Sequence, residues 1–386
     1  MLSAERSQFE LTDEQRQIGE LAAEIAQREI APHVARWDRE HAFPRELYGK
    51  LTEAGIMGIV VPEEYGGAGA DYISYALAIE EIARVDAGTA TTVSVHSMIC
   101  SALVRLGTEV QKRRWLPKLA TEDVIAGFAL TEPDAGSDAA SIRATARRTA
   151  GGYVLNGRKQ WCTNGSQAGV VMAMFRTGGR GPKGVSAFMV DASTAGIVVE
   201  KVTEKLGIHT SNTVDLAFDD AEIPADALLG EEGDGFGNAM KALTAGRIGI
   251  GAQATGILAA CLDESVRFAK ERAAFGRSIG AFEGVSFKIA QMATDLDAAR
   301  LLVYRAAALA DAGKPFAVEA SKAKLFASTA ARKHAAEALQ IHGGYGYTTE
   351  FPVERHYRDA KITEIYEGTS EIQQVIIARS LLGKLE

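Results

Sequence analysis

The chain has 386 residues, 47% of them hydrophobic and 24% charged, with a formal net charge of −8. That length allows two or three domains with sizeable cores, and the composition excludes a disordered chain. The acidic balance argues against a nucleic-acid partner, because neutralising phosphates needs a basic surface; a phosphate-bearing cofactor needs only a local pocket.

The first segment reads as helices. "LTDEQRQIGELAAEIAQREI" opens with Thr12 and Gln15 at capping-box spacing and places Ile18, Leu21 and Ile25 on one face; Pro32 is expected to end or kink it. Pro44 in "FPRELYGKLTEAGI" is expected at a first helical position. After the turn "PEEYGGAGA" the helical pattern resumes in "YISYALAIEEIARV" and closes with "EVQKRRWLPKLA". From about Val124 to Gly230 the texture changes to short β-prone runs, "GVVMAMF", "GVSAFMV", "GIVVEKV" and "NTVDLAF", separated by turn residues. Asn156-Gly157 between two such runs predicts a hairpin turn.

Helical texture returns after "GEEGDGFG". Ile289, Met292, Leu296, Ala299, Val303 and Ala306 alternate steps of three and four, which predicts the seam of a helical bundle. A further long helix is expected to end at Gly343 and Gly344, and the last to begin near Ser370, whose spacing to Gln373 suggests another capping box. The expected fold class is α+β and mainly helical. It has an N-terminal helical domain (1–123), a middle β-domain of sandwich or barrel type (124–232) and a C-terminal four-helix bundle domain (233–386). Strands and helices are segregated, which argues against a doubly wound sheet.

The three cysteines, Cys100, Cys162 and Cys261, form neither a disulfide framework nor a metal quartet and suit a reducing compartment. No apolar run approaches membrane-spanning length and no secretory h-region opens the chain, so a cytoplasmic protein without membrane insertion is expected. The histidines show no ligand spacing, so no metal is expected. "GGRGPKG" matches a dinucleotide fingerprint in letters only, because β-prone runs flank it on both sides and no helix follows to hold a pyrophosphate.

"GFALTEPDAGSDAASI" ends a β-prone run with a cluster of hydroxyls, glycines and acids. That suits hydrogen bonding to a polar heterocycle, and it equally suits any tight loop. Trp161 in "KQWCTNGS" fits a ring-stacking or a core role, and Cys162 reads most plainly as a small buried hydrophobe. Glu367 in "ITEIYEGTSEIQQ" fits either a helix-entry acid or a catalytic base.

Together, "FALTEPDAGSD", "GRKQWCTNG", "RAAFG" and "QIHGGYGYTTEFPVERHYRDAKITEIYEGTSEIQ" resemble the acyl-CoA dehydrogenase family, from roughly residue 10 to the C-terminus. "GRIGIGAQATGI" and "YRDAKITEIYEGTSEIQ" are most similar to its short-chain, butyryl-CoA branch. The resemblance implies an FAD-dependent oxidation of an acyl-CoA thioester to its trans-2-enoyl form. Electrons would pass to an electron-transferring flavoprotein, from a homotetramer built as a dimer of dimers. It implies that Phe128, Leu130, Thr131, Gly136, Ser137, Trp161, Cys162 and Thr163 border the flavin, with Ser137 also near the CoA chain. Arg272, Phe275, Gln340, Gly343 and Gly344 would reach the FAD of a neighbouring subunit, and Thr369, Ser370 and Glu371 would lie near the cofactor phosphates. Two positions depart from the family pattern: Glu283 replaces a glutamine of the cross-subunit FAD contact, and Thr244 replaces an aspartate that touches CoA, while Arg247 is retained.

Members of that family carry the base either in the "YEG" turn or just before the arginine of the bundle's first helix. Here the second position is Gly246, so the resemblance assigns α-proton abstraction to Glu367. Its backbone N–H and an FAD ribityl hydroxyl would polarise the thioester carbonyl, with Gly368 admitting the substrate. Desolvation by the acyl chain is expected to outweigh the helix dipole and raise the Glu367 pKa. A short branched-chain acyl-CoA dehydrogenase, an oxygen-using oxidase of the same fold and a scaffold that has lost its chemistry are the other readings.

Overall fold

The computed structural model describes residues 10–383. Six helices come first: α1 (Asp13–Ile25), α2 (Val34–Glu40), α3 (Arg45–Glu53), α4 (Tyr72–Val85), α5 (Ala87–Leu106) and α6 (Glu109–Thr121). The Thr12–Gln15 capping box forms as expected, and Thr108 with Gln111 makes a second at the start of α6. The path of α1 runs on through a π-helical turn, Ala26–Ile30, and Pro32 lies in the break before α2. Pro44 is the cap of α3, one residue earlier than expected. The Asp86 carboxylate accepts the N–H groups of Gly88 and Thr89, so α5 starts as α4 ends.

The middle segment folds into a seven-stranded sheet: β1 (Ile125–Ala129), β2 (Thr145–Arg148), β3 (Gly152–Thr163), β4 (Ala168–Arg176), β5 (Val185–Asp191), β6 (Ile197–Val202) and β7 (Thr213–Pro224). The order is β1-β4-β2-β3-β7-β6 with β5 on β4, and a single β1–β3 pair, Phe128 opposite Thr163, curls the sheet back on itself. The core of this sheet holds Tyr153, Leu155, Phe175, Phe188, Leu216 and Phe218.

One sequence expectation fails here. Asn156-Gly157 lies inside β3, and the β2–β3 turn is made at Thr149–Gly152 instead, where the Thr149 N–H donates to the Gly152 carbonyl at 2.8 Å. The pair forms a bulge against β7. Asn156 exchanges hydrogen bonds with Asp220 across the strands, and a side chain on Gly157 would meet Ala144 Cβ at 2.6 Å. Tertiary crowding, rather than a turn, requires that glycine.

Five α-helices follow among the described residues: α7 (Gly235–Glu271), α8 (Glu283–Asp311), α9 (Ala317–His342), α10 (Val353–Ile362) and α11 (Ser370–Leu382). On α8, Met292, Leu296, Ala299, Val303 and Ala306 are buried along the expected seam, with Ile289 half-buried. The inner face of α9 is built from Ala320, Ala323, Ala327, Ala331, Ala335 and Ala338, small residues that let α7 approach closely. Helix α7 also packs on α4 and α5, which joins the bundle to the N-terminal helices. Contrary to the sequence reading, α5 and α7 are long and apolar enough to cross a membrane, but 94% of each apolar window is buried within the protein. All three cysteines are free and buried.

Candidate active site

Residues 363–369 link α10 to α11, and Glu367 lies near the end of that link. The cap of α11 is Thr369, whose hydroxyl accepts the Ile372 N–H; Ser370 is the first helical residue, so the expected Ser370–Gln373 box does not form. The Gln373 amide turns back and donates to the Gly368 carbonyl at 2.8 Å. Glu367 has φ 51° and Gly368 φ 93°, a left-handed pair that glycine tolerates and glutamate adopts only when held.

Several contacts hold it. Lys324 Nζ on α9 donates to the Gly368 carbonyl at 2.6 Å, and the Ser370 N–H donates to the Glu364 carbonyl at 2.9 Å. The Tyr366 hydroxyl donates to Gln253 Oε1, and the Gln253 amide in turn donates to the Ala87 carbonyl at 2.7 Å and to Thr91 Oγ1 at 2.8 Å. The turn is thereby tied to α5, α7 and α9 together.

The strained conformation aims the Glu367 side chain inward. Both carboxylate oxygens are buried without a hydrogen-bond partner, and the Glu367 N–H finds no acceptor among the described residues. Beside it lies Arg247, 4% exposed, whose Nε is likewise buried and unpartnered. A buried ionisable group without partners is costly unless a ligand completes it, so this cluster marks a binding site.

Burial pushes the Glu367 carboxyl up to about 7, against the opposing pull of the Lys324 and Arg247 charges. From an ordinary 4.5 that rise corresponds to roughly 3 kcal/mol favouring the neutral form, well above the ~0.3–1 kcal/mol a helix dipole supplies. Desolvation dominates, as expected, but the fold alone brings it about before any acyl chain arrives. Gly246 faces the same carboxylate: a Cβ there would overlap Glu367 Oε2 and lie 3.0 Å from Glu367 Cδ and 2.8 Å from Met98 Sδ. A side chain at position 246 and the Glu367 carboxylate would therefore occupy one volume.

A second group of residues gathers where β1 and β3 end. Phe128 pairs with Thr163, Leu130 and Thr131 follow β1, and the Gln160 N–H donates to the Thr131 carbonyl at 2.8 Å. Trp161 sits in a bulge of β3 with φ 54°, its N–H donating to Asp215 Oδ1 at 3.0 Å, and its side chain stands 57% exposed. Cys162 differs from its neighbours. Its side chain is 1% exposed in the sheet core, so only its backbone is available at the site, and burial pushes its thiol up to about 12.

Gly136 and Ser137 are exposed on the loop after β1. That loop is bolted down by Glu132, whose carboxylate accepts the N–H groups of Arg143 at 2.6 Å and Ala144 at 3.0 Å and the buried Lys159 Nζ at 2.7 Å.

Arg272, Gly343 and Gly344 line an open cleft of about 510 Å³ that contains none of the residues above. Phe275, also at positive φ (54°), is 96% exposed nearby in sequence, and Gln340 is exposed on the last turn of α9. Glu283 is the exposed first residue of α8, where a carboxylate complements the helix dipole. The Thr244 hydroxyl donates to the Met240 carbonyl of its own helix at 2.7 Å and is already satisfied. The exposed Glu371 carboxyl is held below its ordinary range by its own backbone N–H and the Thr369 hydroxyl, so a phosphate at the start of α11 would have to displace it.

Profiles of the acyl-CoA dehydrogenase N-terminal, middle and C-terminal domains match residues 12–123, 127–221 and 233–382. The chain belongs to the acyl-CoA dehydrogenase family. It is 49% identical to an acyl-CoA dehydrogenase of Bacillus subtilis over 97% of this chain and 99% of that protein. The solved butyryl-CoA dehydrogenase of Megasphaera elsdenii superposes with a TM-score of 0.96 at 43% identity, over 97% of this chain and all of that one. A chain in a structure described as the electron transferring flavoprotein of Acidaminococcus fermentans superposes with a TM-score of 0.97 at 44% identity, over 98% of this chain and 100% of that one. This acyl-CoA dehydrogenase is an oxidoreductase, and FAD is its cofactor.

The sequence reading placed Glu132 in the turn cluster but missed the other residues that support the turn and the loop: Lys324, Gln253 and Lys159. Lys324 alone left a legible signal. Its position between Ala320 and Ala327 places a cation on the alanine seam of α9.

Proposed function

We propose that this dehydrogenase oxidises a short straight-chain acyl-CoA of the butyryl class to its trans-2-enoyl thioester and that Glu367 removes the α-proton. The observation that carries this reading is the Glu367 carboxylate: buried, unpartnered, held in a strained turn and shifted to about 7, where it takes up and releases a proton near neutral pH. The similarity to butyryl-CoA dehydrogenase supports the short acyl chain.

The residues present suit FAD. The exposed Trp161 with Thr163, Phe128, Leu130, Thr131, Gly136 and Ser137 would flank its ring system. Thr369, Ser370 and Glu371 would stand near its phosphates. Arg272, Phe275, Gln340, Gly343 and Gly344 lie apart from that group in one protomer, which supports their serving the FAD of a second subunit in a homotetramer. When bound, FAD supplies the acceptor for the β-hydride.

The protein does the rest. The free Glu367 N–H is positioned to donate to the thioester carbonyl as negative charge builds on it, and Gly368 lets the turn keep its left-handed shape where a side chain would press on the Gln373 amide at 2.8 Å. The Cα–H bond breaks toward Glu367, and its electron pair forms the new double bond as the Cβ–H pair departs. Buried Arg247 and Lys324 offset the negative charge that the carboxylate and the enolate-like substrate share. An electron-transferring flavoprotein would reoxidise the enzyme; the likeness to a chain from a structure so described supports that partner. Thr244, satisfied within its helix, leaves the CoA contact on this helix to Arg247.

Anaerobic titration with butyryl-CoA, following loss of flavin absorbance, tests the assignment. Glu367→Gln is expected to retain FAD and to bleach ~10²–10⁴-fold more slowly; bleaching at the wild-type rate would refute it.

A further inference from the structure

We propose that Lys324 is a positioning residue for the base: it clamps the Gly368 carbonyl to fix the left-handed Glu367–Gly368 turn, and its charge keeps the Glu367 carboxylate available in ionised form. The inference rests on Glu367 being the base and adds the device that makes it one.

Three observations carry it. Lys324 is 0% exposed, on a face of α9 otherwise made of alanines and serines, and a lysine is almost never fully buried without a role for its charge. Its hydrogen-bond acceptor is the Gly368 carbonyl, at 2.6 Å, rather than a carboxylate. That carbonyl also accepts from Gln373, so two donors lock the peptide that follows the glutamate. Among the described residues, the orphaned side-chain atoms of the turn are the two oxygens of the Glu367 carboxylate.

The charged and titratable groups around this carboxylate are few. Lys324 faces it from α9, Arg247 from α7 and Tyr75 from α4, with Tyr366 on its own turn. From helix α5, the neutral Met98 meets the same volume beside Gly246 and Thr91 meets the Tyr366 hydroxyl. Lys324 in turn faces Glu367, Arg247, Glu364 and Glu371. Tyr75 and Tyr366 are pushed above the titration range of interest by burial, so the two cations set the local field. Arg247 cannot lose its proton in practice, whereas burial brings Lys324 down to about 8. Lys324 is therefore the adjustable partner. Its charge opposes the desolvation of Glu367 below about pH 8, and the clamp survives deprotonation because a neutral amine still donates.

The test separates charge from clamp. In holoenzyme carrying ¹³C-labelled glutamate, the Glu367 carboxyl is titrated by difference infrared spectroscopy against Glu367→Gln, a readout that holds whether or not Glu367 is the base. Lys324→Gln keeps a donor and removes the charge; it is expected to raise the Glu367 midpoint by about one pH unit, a roughly ten-fold fall in the ratio of ionised to neutral carboxyl. Lys324→Arg keeps the charge and is expected to restore most of the midpoint. Gln373→Leu removes the second donor to Gly368 without touching charge; it is expected to slow flavin reduction severalfold with the midpoint unmoved. A Lys324→Gln midpoint equal to wild type, with flavin reduction within about two-fold, would overturn the proposal and leave Lys324 as core filling. If the variants do not fold, wild type still decides. The Glu367 carboxylate band must move as Lys324 loses its proton, and a band that stays flat from about pH 8 to 11 overturns the proposal. Should Glu367→Gln bleach normally while Lys324→Gln still shifts the carboxyl, the base assignment fails and the Lys324 coupling stands.

Discussion

Gly246→Ala isolates the contact between Glu367, the proposed base, and the helix behind it. The added Cβ would overlap Glu367 Oε2 and lie 3.0 Å from Glu367 Cδ and 2.8 Å from Met98 Sδ. Carbon atoms rest at about 3.5–4.0 Å, so the carboxylate must retreat by about 0.5–1 Å. The stability consequence is small. The atoms in the way are the ends of flexible side chains, an off-rotamer displacement costs ~0.5–1.5 kcal/mol, and alanine inside a helix recovers ~1 kcal/mol relative to glycine. The catalytic consequence is large, because a misplacement of about 1 Å costs on the order of 10²-fold in rate. Gly246→Ala is therefore expected to unfold within a few degrees of wild type, to bind FAD fully and to reduce its flavin with butyryl-CoA about 10²-fold more slowly in anaerobic stopped flow. A rate within about three-fold of wild type would show that the carboxylate has room to move without loss. A collapse of stability with loss of FAD would show that the glycine serves helix packing instead. Either result refutes the reasoning.

The burial of Glu367 also sets a pH dependence of stability. Glu367 is raised from 4.5 to about 7 on folding, so between those values the folded state holds more protons than the unfolded one. Stability then falls as pH rises through that window and stays lower above it. Glu367→Gln removes this penalty and is expected to be more stable than wild type at pH 8 by on the order of 2–3 kcal/mol, and equal to it below about pH 4.5, in urea unfolding of the two proteins side by side. Lys159→Met removes the one side-chain cation that, among the described residues, contacts the Glu132 carboxylate. Leaving that charge buried is expected to cost ~3–5 kcal/mol and to loosen the loop bearing Gly136 and Ser137, seen as lowered FAD retention on dilution. Unchanged denaturation midpoints would sink it.

Much of the fold was legible because periodicity is local. The α8 seam, the Thr12 box and the shift to β-prone runs after residue 124 each follow from a repeat or a cap within one segment. Asn156-Gly157 shows where local chemistry misleads. The pair has the residues of a tight turn, but the approach of Ala144 and the hydrogen bonds to Asp220 place it mid-strand. The start of α11 moved by one residue for a similar reason: the Thr369 hydroxyl, not that of Ser370, faces the first free N–H groups.

Glu367 itself was readable from its motif, since the glycine, the glutamate and the helix that follows are neighbours in the chain. Its chemistry was not, because charge and desolvation act through space. The carboxylate lies over Gly246, about 120 residues away in sequence, and below a lysine from a third helix. The sequence by itself determined which elements form and which carboxylate is available. Only the packing of α5, α7 and α9 around one turn decided that this carboxylate is buried, unpartnered and shifted to about 7, because the dielectric around a group depends on what surrounds it and not on what adjoins it in the chain.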